Sequence, residues 1–178
     1  MNFRISTGYS FNSMLFPNPK ETISKLHEYN IRVGLNINAK EGILPHEVAY
    51  EKAREYLKAE EKKIIPFAPF NSTFLDIYFK LLLHPLENLG VDFFWNDYDQ
   101  NDKDLTALWL LNHYHFLDLK RTPAKRGMLL ARNAKLAPHR YPVMYSGKTE
   151  ASWETLRKLP KLYQQAANAG VSWWSHDI

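Results

Sequence analysis

The segment GVDFFWND, residues 90–97, has the composition of a short strand with apolar side chains on both of its faces. Such a continuous apolar run, without alternation, is typical of a strand buried on both sides of a parallel sheet. Four other segments have the same character: RVGLNIN at 32–38, GMLLARN at 127–133, YPVMYS at 141–146 and VSWWSHDI at 171–178. The sequence therefore predicts about five parallel strands.

Longer segments with helical features separate these strands. They are Pro19–Tyr29, Pro45–Lys62, Ser72–Asn88, Asp102–Leu119 and Ala151–Ala169. Strand–helix–strand order with these lengths predicts βαβ units, a parallel sheet and an α/β fold. Neither an internal repeat nor a low-complexity linker divides the chain, so we expect residues 1–178 to form a single domain.

Polar residues follow the apolar part of four of the five predicted strands. They are Asn36 and Asn38, then Asp97, then Arg132, then His176 and Asp177. In parallel α/β folds the chemistry lies at the carboxyl ends of the strands, so these residues are the candidates for a site. A doubly wound sheet and a barrel would show the same pattern, and this observation does not choose between them.

The composition excludes several classes of protein. Of the 178 residues, 45% are hydrophobic and 14% aromatic, which predicts a folded chain with a sizeable core. Acidic residues are interspersed with basic ones and the net charge is only +4, so we expect no nucleic-acid partner. The absence of Cys excludes disulfides. With no signal sequence or membrane-length apolar run, we expect a cytoplasmic protein without a membrane partner.

Two short motifs suggest other functions but lack their essential parts. Gly147-Lys148-Thr149 resembles the end of a phosphate-binding loop, yet Pro142 occupies the position of that loop's first glycine. His113 and His115 are two residues apart on a predicted helix and therefore point in different directions, which favours ordinary polar positions. His46-Glu47 lacks the second histidine of a zinc helix. We expect no metal and no cofactor.

Asp97 is the strongest catalytic candidate. It ends a predicted strand and lies between the aromatic residues Trp95 and Tyr98. Aromatic rings supply faces on which a sugar stacks, and a carboxylate can attack or stabilise an anomeric carbon. The alternative is an acid that caps a helix or belongs to a solvated loop.

The same segment resembles the nucleophile strand of glycoside hydrolase family 31, one branch of which has the pattern aromatic-Trp-x-Asp-Trp-Gln-Gln. Similar motifs occur in the family's order along the whole chain. They are Leu15–Pro19, Asn36–Glu47, His84–Glu87, Gly90–Gln100, Trp109–Asp118, Ala131-Arg132, His139–Pro142 and Ser172–Ile178. The resemblance implies the central part of a TIM (β/α)8 barrel. Because a whole barrel has eight strands, we expect the chain to be truncated, with missing strands or self-association completing it.

This resemblance also implies a role for each site residue in binding a carbohydrate substrate. Asp97 would be the catalytic nucleophile at the end of barrel strand four. Arg132 would hold substrate hydroxyls, and His176 and Asp177 would contact the sugar in the innermost subsite. Trp95 and Trp174 would shape the mouth of the site, although core packing accounts for them equally well. Asp97, Arg132 and Asp177 are expected to gather at one mouth.

Lys148 occupies the position at which the family has its general acid, in a Ser-Gly-Asp-Thr motif. A lysine with an ordinary pKa of about 10.4 is a poor proton donor near neutrality. Glu150, two residues on, is a possible substitute. The expected function is therefore that of a retaining α-glycosidase, of α-glucosidase or α-xylosidase type. Because the chain looks truncated and has Lys148 at the acid's position, we expect it by itself not to turn over unactivated α-glycosides. A non-catalytic sugar-binding relative and a nucleotide-binding βαβ domain are the alternatives.

Overall fold

The computed structural model describes residues 7–97, 105–123, 126–132, 138–147 and 149–176. The chain divides into two compact units, Met1–Asp99 and Gln100–Ile178. In each unit short parallel strands alternate with helices, and every strand pair described is parallel. The predicted α/β class is thereby confirmed, and the single-domain assignment stays a prediction.

Two strands of the first unit pair in parallel, β1 at Gly34–Ile37 and β2 at Phe93–Asn96. Each lies inside one of the predicted apolar runs. Ile37 and Phe94 are fully buried and form one face of the pair. Side chains alternate along a strand, so the residues next to Ile37 and Phe94 in sequence lie on the opposite face of the pair. Asn36, on that opposite face, pairs in register with Trp95.

The described part of the first unit also contains four α-helices and one π-helical segment. They are α1 at Pro19–Glu28, α2 at Tyr50–Leu57, α3 at Ser72–Ile77 and α4 at His84–Asn88, with a π-helical segment at Tyr78–Leu83 between the last two. The prediction of one helical segment over 72–88 is confirmed. Its π-helical interior was not predicted, and such insertions are rare. Asn71 caps this segment by accepting a hydrogen bond from the Phe74 N–H at 3.1 Å.

The predicted helix Pro45–Lys62 is wrong at both ends, since α2 spans only Tyr50–Leu57. Its predicted first turn is engaged elsewhere, since the Val48 N–H donates to Ser10 Oγ over 3.0 Å. Just before that turn, Ile43 forms an antiparallel bridge with Ile65. At its other end Lys58 adopts a left-handed conformation, φ 52°, which stops the helix. Pro45 is suited to a first helical turn, but tertiary contacts decide the start.

In the second unit, helix α5 spans Leu105–Leu119 and helix α6 spans Trp153–Asn168. The strands β3 at Leu129–Arg132, β4 at Pro142–Tyr145 and β5 at Trp174–Ser175 lie side by side in chain order. Five strands are thus described in the two units, as predicted. The strand predicted over 171–178 is reduced to two paired residues among those described. No helix of the described ranges is long and apolar enough to cross a membrane.

His113 and His115 are not the ordinary polar helix positions that the sequence suggested. His115 is fully buried within α5. His113 is half-buried, and its ring stacks on that of Trp109 with the ring centroids 5.4 Å apart. The Nδ1 atom of His113 lies 2.7 Å from the Tyr141 hydroxyl. The helix therefore uses both histidines in packing, in different directions as their spacing predicts.

Asp92 precedes β2 and ties it to the start of β1. Its carboxylate accepts a hydrogen bond from the Val33 N–H at 2.8 Å, and lies 2.8 Å from His27 Nε2 and 3.1 Å from Arg32 Nη1. Burial alone would raise the pKa of this carboxyl, but the hydrogen bonds from Val33, His27 and Arg32 outweigh it and lower the pKa. The ionised form thus stabilises the strand pair.

Asp92→Asn is expected to lower the free energy of unfolding by about 1–3 kcal/mol at pH 7, because hydrogen bonds to a charged group are lost. A lowered folded-state pKa means that this contribution is present above the unfolded value, near 3.8, and is lost as the pH falls through the folded-state value. The difference from wild type should shrink below about pH 4. Urea unfolding at pH 7 and pH 3 measures it, with exposed Asp76→Asn as the control. A difference independent of pH would contradict the prediction.

Candidate functional site

Asp97 follows the carboxyl end of β2 and is held there by main-chain and side-chain hydrogen bonds. Its N–H donates to the carbonyl of Ile37, at the end of β1, over 2.9 Å. The Asn36 side-chain amide donates to Asp97 Oδ2 over 3.1 Å. Both partners come from β1, so the pairing of the two strands fixes the place of this carboxylate.

The surroundings of Asp97 follow from strand geometry. Trp95 lies two residues before Asp97 and is half-buried, whereas Asn96 between them is fully buried. The parallel register puts Asn36 directly beside Trp95. An indole, an amide and a half-buried carboxylate therefore lie close together at the end of the pair. This combination suits a ring-shaped polar ligand.

The segment before Phe11 crosses the end of β1 at very close range. Gly8 has φ 85°, and a Cβ atom at this position would lie 2.0 Å from the carbonyl oxygen of Asn36. Only glycine fits there, because both the conformation and the approach exclude a side chain. Next to it, the Asn38 N–H donates to the carbonyl of Thr7 over 2.9 Å. The backbone of Asn36 is thus in contact with Gly8 and is also paired with Trp95 of β2.

Glu47 anchors this crossing segment. It is a buried carboxylate that accepts hydrogen bonds from the Thr7 hydroxyl and from the Ser10 hydroxyl, the latter over 2.5 Å. Ser10 Oγ in turn accepts the Val48 N–H at 3.0 Å. A cavity of about 520 Å³ lies here, with Asn12 in its lining. Sequence reasoning gave Glu47 no such role, because nothing in its spacing links it to two hydroxyls so distant in the chain.

In the second unit, polar groups meet at the ends of β4 and β5. Ser146 Oγ lies 2.6 Å from His176 Nδ1, and the Ser146 N–H donates to the carbonyl of Ser175 over 3.2 Å. His176 also lines a cleft of about 490 Å³, which Thr149 and Gln165 help to enclose. His176 thus directly follows β5, and its predicted contact with a sugar stays a prediction. Ser146 is a neighbour that the sequence did not single out.

Trp174 takes part in a small core of this unit. It packs with Met144 and Val171, and Tyr163 of α6 contacts its ring edge-on with the centroids 6.2 Å apart. Its indole Nε1 is buried and has no hydrogen-bond partner in the described part of the chain. A packing role is therefore evident, and the predicted contact with a sugar stays a prediction.

The other predicted site residues are located as far as the described ranges allow. Arg132 is the last residue of β3, and Glu150 is exposed before α6. Lys148 and Asp177 lie outside the described residues. The expected meeting of Asp97, Arg132 and Asp177 at one mouth therefore stays a prediction.

Comparisons with known proteins bear on the identity of the chain. The family model described as the glycosyl hydrolases family 31 TIM-barrel domain matches residues 1–178. Among solved structures, the chain is similar to a GH31 alpha-xylosidase from a soil metagenome, crystallised in complex with xylose, with a TM-score of 0.73 and 14% sequence identity. The match covers 99% of this chain and 30% of the xylosidase chain, so this chain spans under a third of the length of that relative. None of the curated proteins has significant sequence similarity to it.

The resemblance stated above from the nucleophile segment is confirmed by the match over the full length. The barrel assignment is confirmed as well, because the matching model is that of the TIM-barrel domain and the solved xylosidase shares the fold. The chain belongs to glycosyl hydrolases family 31, and its residues correspond to part of that family's TIM-barrel domain.

Proposed function

We propose that this chain carries the nucleophile of a retaining α-glycosidase, and that Asp97 is this nucleophile. One observation carries the proposal: the Asp97 carboxylate lies at the carboxyl end of β2, oriented by the Asn36 amide and placed beside Trp95. In TIM barrels, catalytic groups are found at the carboxyl ends of strands. Because the chain spans 30% of its solved relative's length, activity of the chain by itself is part of the proposal.

The proposed reaction has two steps. Asp97 attacks the anomeric carbon of an α-glycoside, a C–O ester bond forms, and the glycosidic oxygen departs with the bonding electron pair and takes up a proton. Water then attacks the same carbon and gives a proton to the group that protonated the leaving oxygen. The ester bond breaks, the Asp97 carboxylate is restored, and the sugar is released with its original configuration. Two displacements at one carbon account for retention.

The leaving oxygen needs a proton, and the chain has an unusual residue at the position of the proton donor. Lys148 occupies that position in the family pattern, and exposed Glu150 is the proposed substitute. A retaining pair of carboxyl groups is about 5–5.5 Å apart, which Glu150 has to satisfy to act as the acid. Substrates whose leaving group departs without protonation are therefore the proposed best substrates.

The second unit is proposed to supply contacts to the sugar hydroxyls. His176, held by Ser146 at 2.6 Å, is suited to donate or accept a hydrogen bond. Arg132 and Asp177 are proposed to bind further hydroxyls, and Trp174 to form a wall. The solved relative was crystallised with xylose, so α-xylosides are the first substrates to test, with α-glucosides beside them.

Covalent trapping tests the proposal. Purified chain is incubated with 5-fluoro-α-xylosyl fluoride and, separately, with 5-fluoro-α-glucosyl fluoride, whose good leaving group needs little acid assistance. We expect the intact mass to increase by one fluoroglycosyl group, and the modified peptide to carry it on Asp97. No adduct with either reagent, or an adduct on another carboxylate, would overturn the assignment of Asp97.

A non-catalytic sugar-binding protein is the second candidate, because Lys148 replaces the family's proton donor. It predicts binding of xylose or glucose by calorimetry together with the absence of a covalent adduct. The nucleotide-binding alternative has no support of this kind, and the family match over residues 1–178 favours a carbohydrate ligand.

A further inference from the structure

We propose that Asn36 is a positioning residue for the nucleophile, which holds Asp97 Oδ2 through its side-chain amide so that the carboxylate faces the anomeric carbon. The inference rests on the proposed function of Asp97. Its basis is the hydrogen bond of 3.1 Å from Asn36 Nδ2 to Asp97 Oδ2, between residues that are 61 positions apart in sequence.

Asn36 is itself well fixed, as a positioning residue has to be. It belongs to β1 and is paired in register with Trp95 of β2. Its carbonyl oxygen is covered by Gly8, where an added Cβ would approach to 2.0 Å. The following residue, Ile37, is fully buried and accepts the Asp97 N–H over 2.9 Å. The amide that orients the carboxylate is thus carried by a strand whose backbone is held on two sides.

A purely structural role explains Asn36 poorly. Asn is depleted in β-strands, and the Asn36 side chain is exposed and so adds little to the core. The chain nevertheless has an amide here, at the one position of β1 whose side chain bonds Asp97. A neutral donor suits this task, since it binds a carboxylate without forming an ion pair that would hold the nucleophile back from the substrate.

The chemistry of the first step explains what positioning contributes. Attack requires one carboxylate oxygen in line with the breaking glycosidic bond at about 3–3.5 Å from the carbon. A hydrogen bond that fixes Oδ2 restricts rotation about the Cβ–Cγ bond, so fewer orientations compete with the reactive one. Misplacement of a reacting group by about 1 Å can cost roughly 100-fold in rate. Loss of the Asn36 amide should therefore slow bond formation and leave sugar binding intact.

The test measures the rate of covalent labelling by 5-fluoro-α-xylosyl or 5-fluoro-α-glucosyl fluoride, whichever labels the wild type. For Asn36→Ala we expect the limiting labelling rate to fall roughly 10- to 100-fold, and the reagent concentration at half-maximal rate to change less than about twofold. Asn36→Asp should fall further, since it places two carboxylates side by side. Asn36→Gln, which retains the amide, should recover part of the rate.

Controls separate positioning from loss of structure. Asn88→Ala, at an exposed Asn of α4 that precedes the amino end of β2 whereas Asp97 follows its carboxyl end, should label at the wild-type rate. Thermal melts of all variants check the fold. A labelling rate of Asn36→Ala equal to wild type, or a defect confined to the half-maximal concentration, would overturn this inference while Asp97 stays the nucleophile. Absence of any adduct on the wild type would overturn the proposed function, and this inference with it.

Discussion

Asp97→Ala is expected to reduce the hydrolysis of nitrophenyl α-xyloside or α-glucoside by roughly 10⁴-fold or more, a size typical of the removal of a catalytic nucleophile. Of the described residues, Asn36 and Trp95 lie beside it, and neither side chain is a nucleophile that could take its place. Initial rates at saturating substrate measure the effect. Exposed Asp76→Asn on α3 removes a carboxylate elsewhere in the same unit and should leave the rate unchanged.

Azide gives the Asp97→Ala variant a product that identifies the missing group. Removal of the side chain leaves room for a small anion beside the anomeric carbon of the substrate. If Asp97 is the nucleophile, azide attacks from that face and displaces nitrophenolate, so an α-glycoside gives the β-glycosyl azide. Proton NMR of the product distinguishes the two configurations. An α-glycosyl azide, or full activity of the variant without azide, would show that Asp97 is not the nucleophile.

The sequence predicted the parts of the fold that depend on local composition. Apolar runs such as 90–97 contain their strands, as their composition predicts. The expected burial of both faces is wrong for this pair, because Phe94 is fully buried on one face whereas Trp95 on the other is only half-buried. The carboxylate at the end of that run is located where the sequence placed it, since the chain direction of β2 decides which end bears Asp97. Its partner residue Asn36 was visible as a polar strand end, but the contact with Asp97 needs the register of β1 and β2.

Features that depend on distant residues were not predicted. The start of α2 at Tyr50 is decided by contacts of the preceding loop, among them Glu47 with the hydroxyls of Thr7 and Ser10. Thr7 and Ser10 are about 40 positions from Glu47, so no local segment of the sequence contains all three residues. The burial of His115 is of the same kind, because apolar residues are distributed around the whole circumference of α5 and do not identify the face that packs inward.

The second large effect concerns the proton donor and shows itself as a dependence on the leaving group. General-acid assistance is worth roughly 10²–10⁴-fold for a poor leaving group and little for a nitrophenolate. If Lys148 occupies the donor position, as proposed, kcat/KM for a nitrophenyl α-glycoside should be much higher than kcat/KM for isomaltose or maltose. The ratio of the two values should exceed the ratio for an enzyme with a carboxylic acid at that position by a similar factor. The ratio of these two kcat/KM values is the quantity to measure, because a defect that slows both substrates equally does not change it.

Lys148→Asp is expected to lower the ratio of nitrophenyl-glycoside to disaccharide kcat/KM roughly 10²-fold or more. It should do so by raising disaccharide hydrolysis, with little change for the nitrophenyl glycoside. Glu150→Gln is the complementary variant. If Glu150 is the substitute acid, its loss lowers the rate of disaccharide hydrolysis alone. The wild type then has a smaller ratio of nitrophenyl-glycoside to disaccharide kcat/KM than expected for a chain with Lys148 and no substitute acid. Robust disaccharide cleavage that survives both Lys148→Ala and Glu150→Gln but vanishes in Asp97→Asn would contradict the assignment of Glu150 as the acid and would show that Lys148 does not take its place. Another carboxyl group would then have to protonate the leaving oxygen, because Asp97 as the nucleophile does not supply that proton.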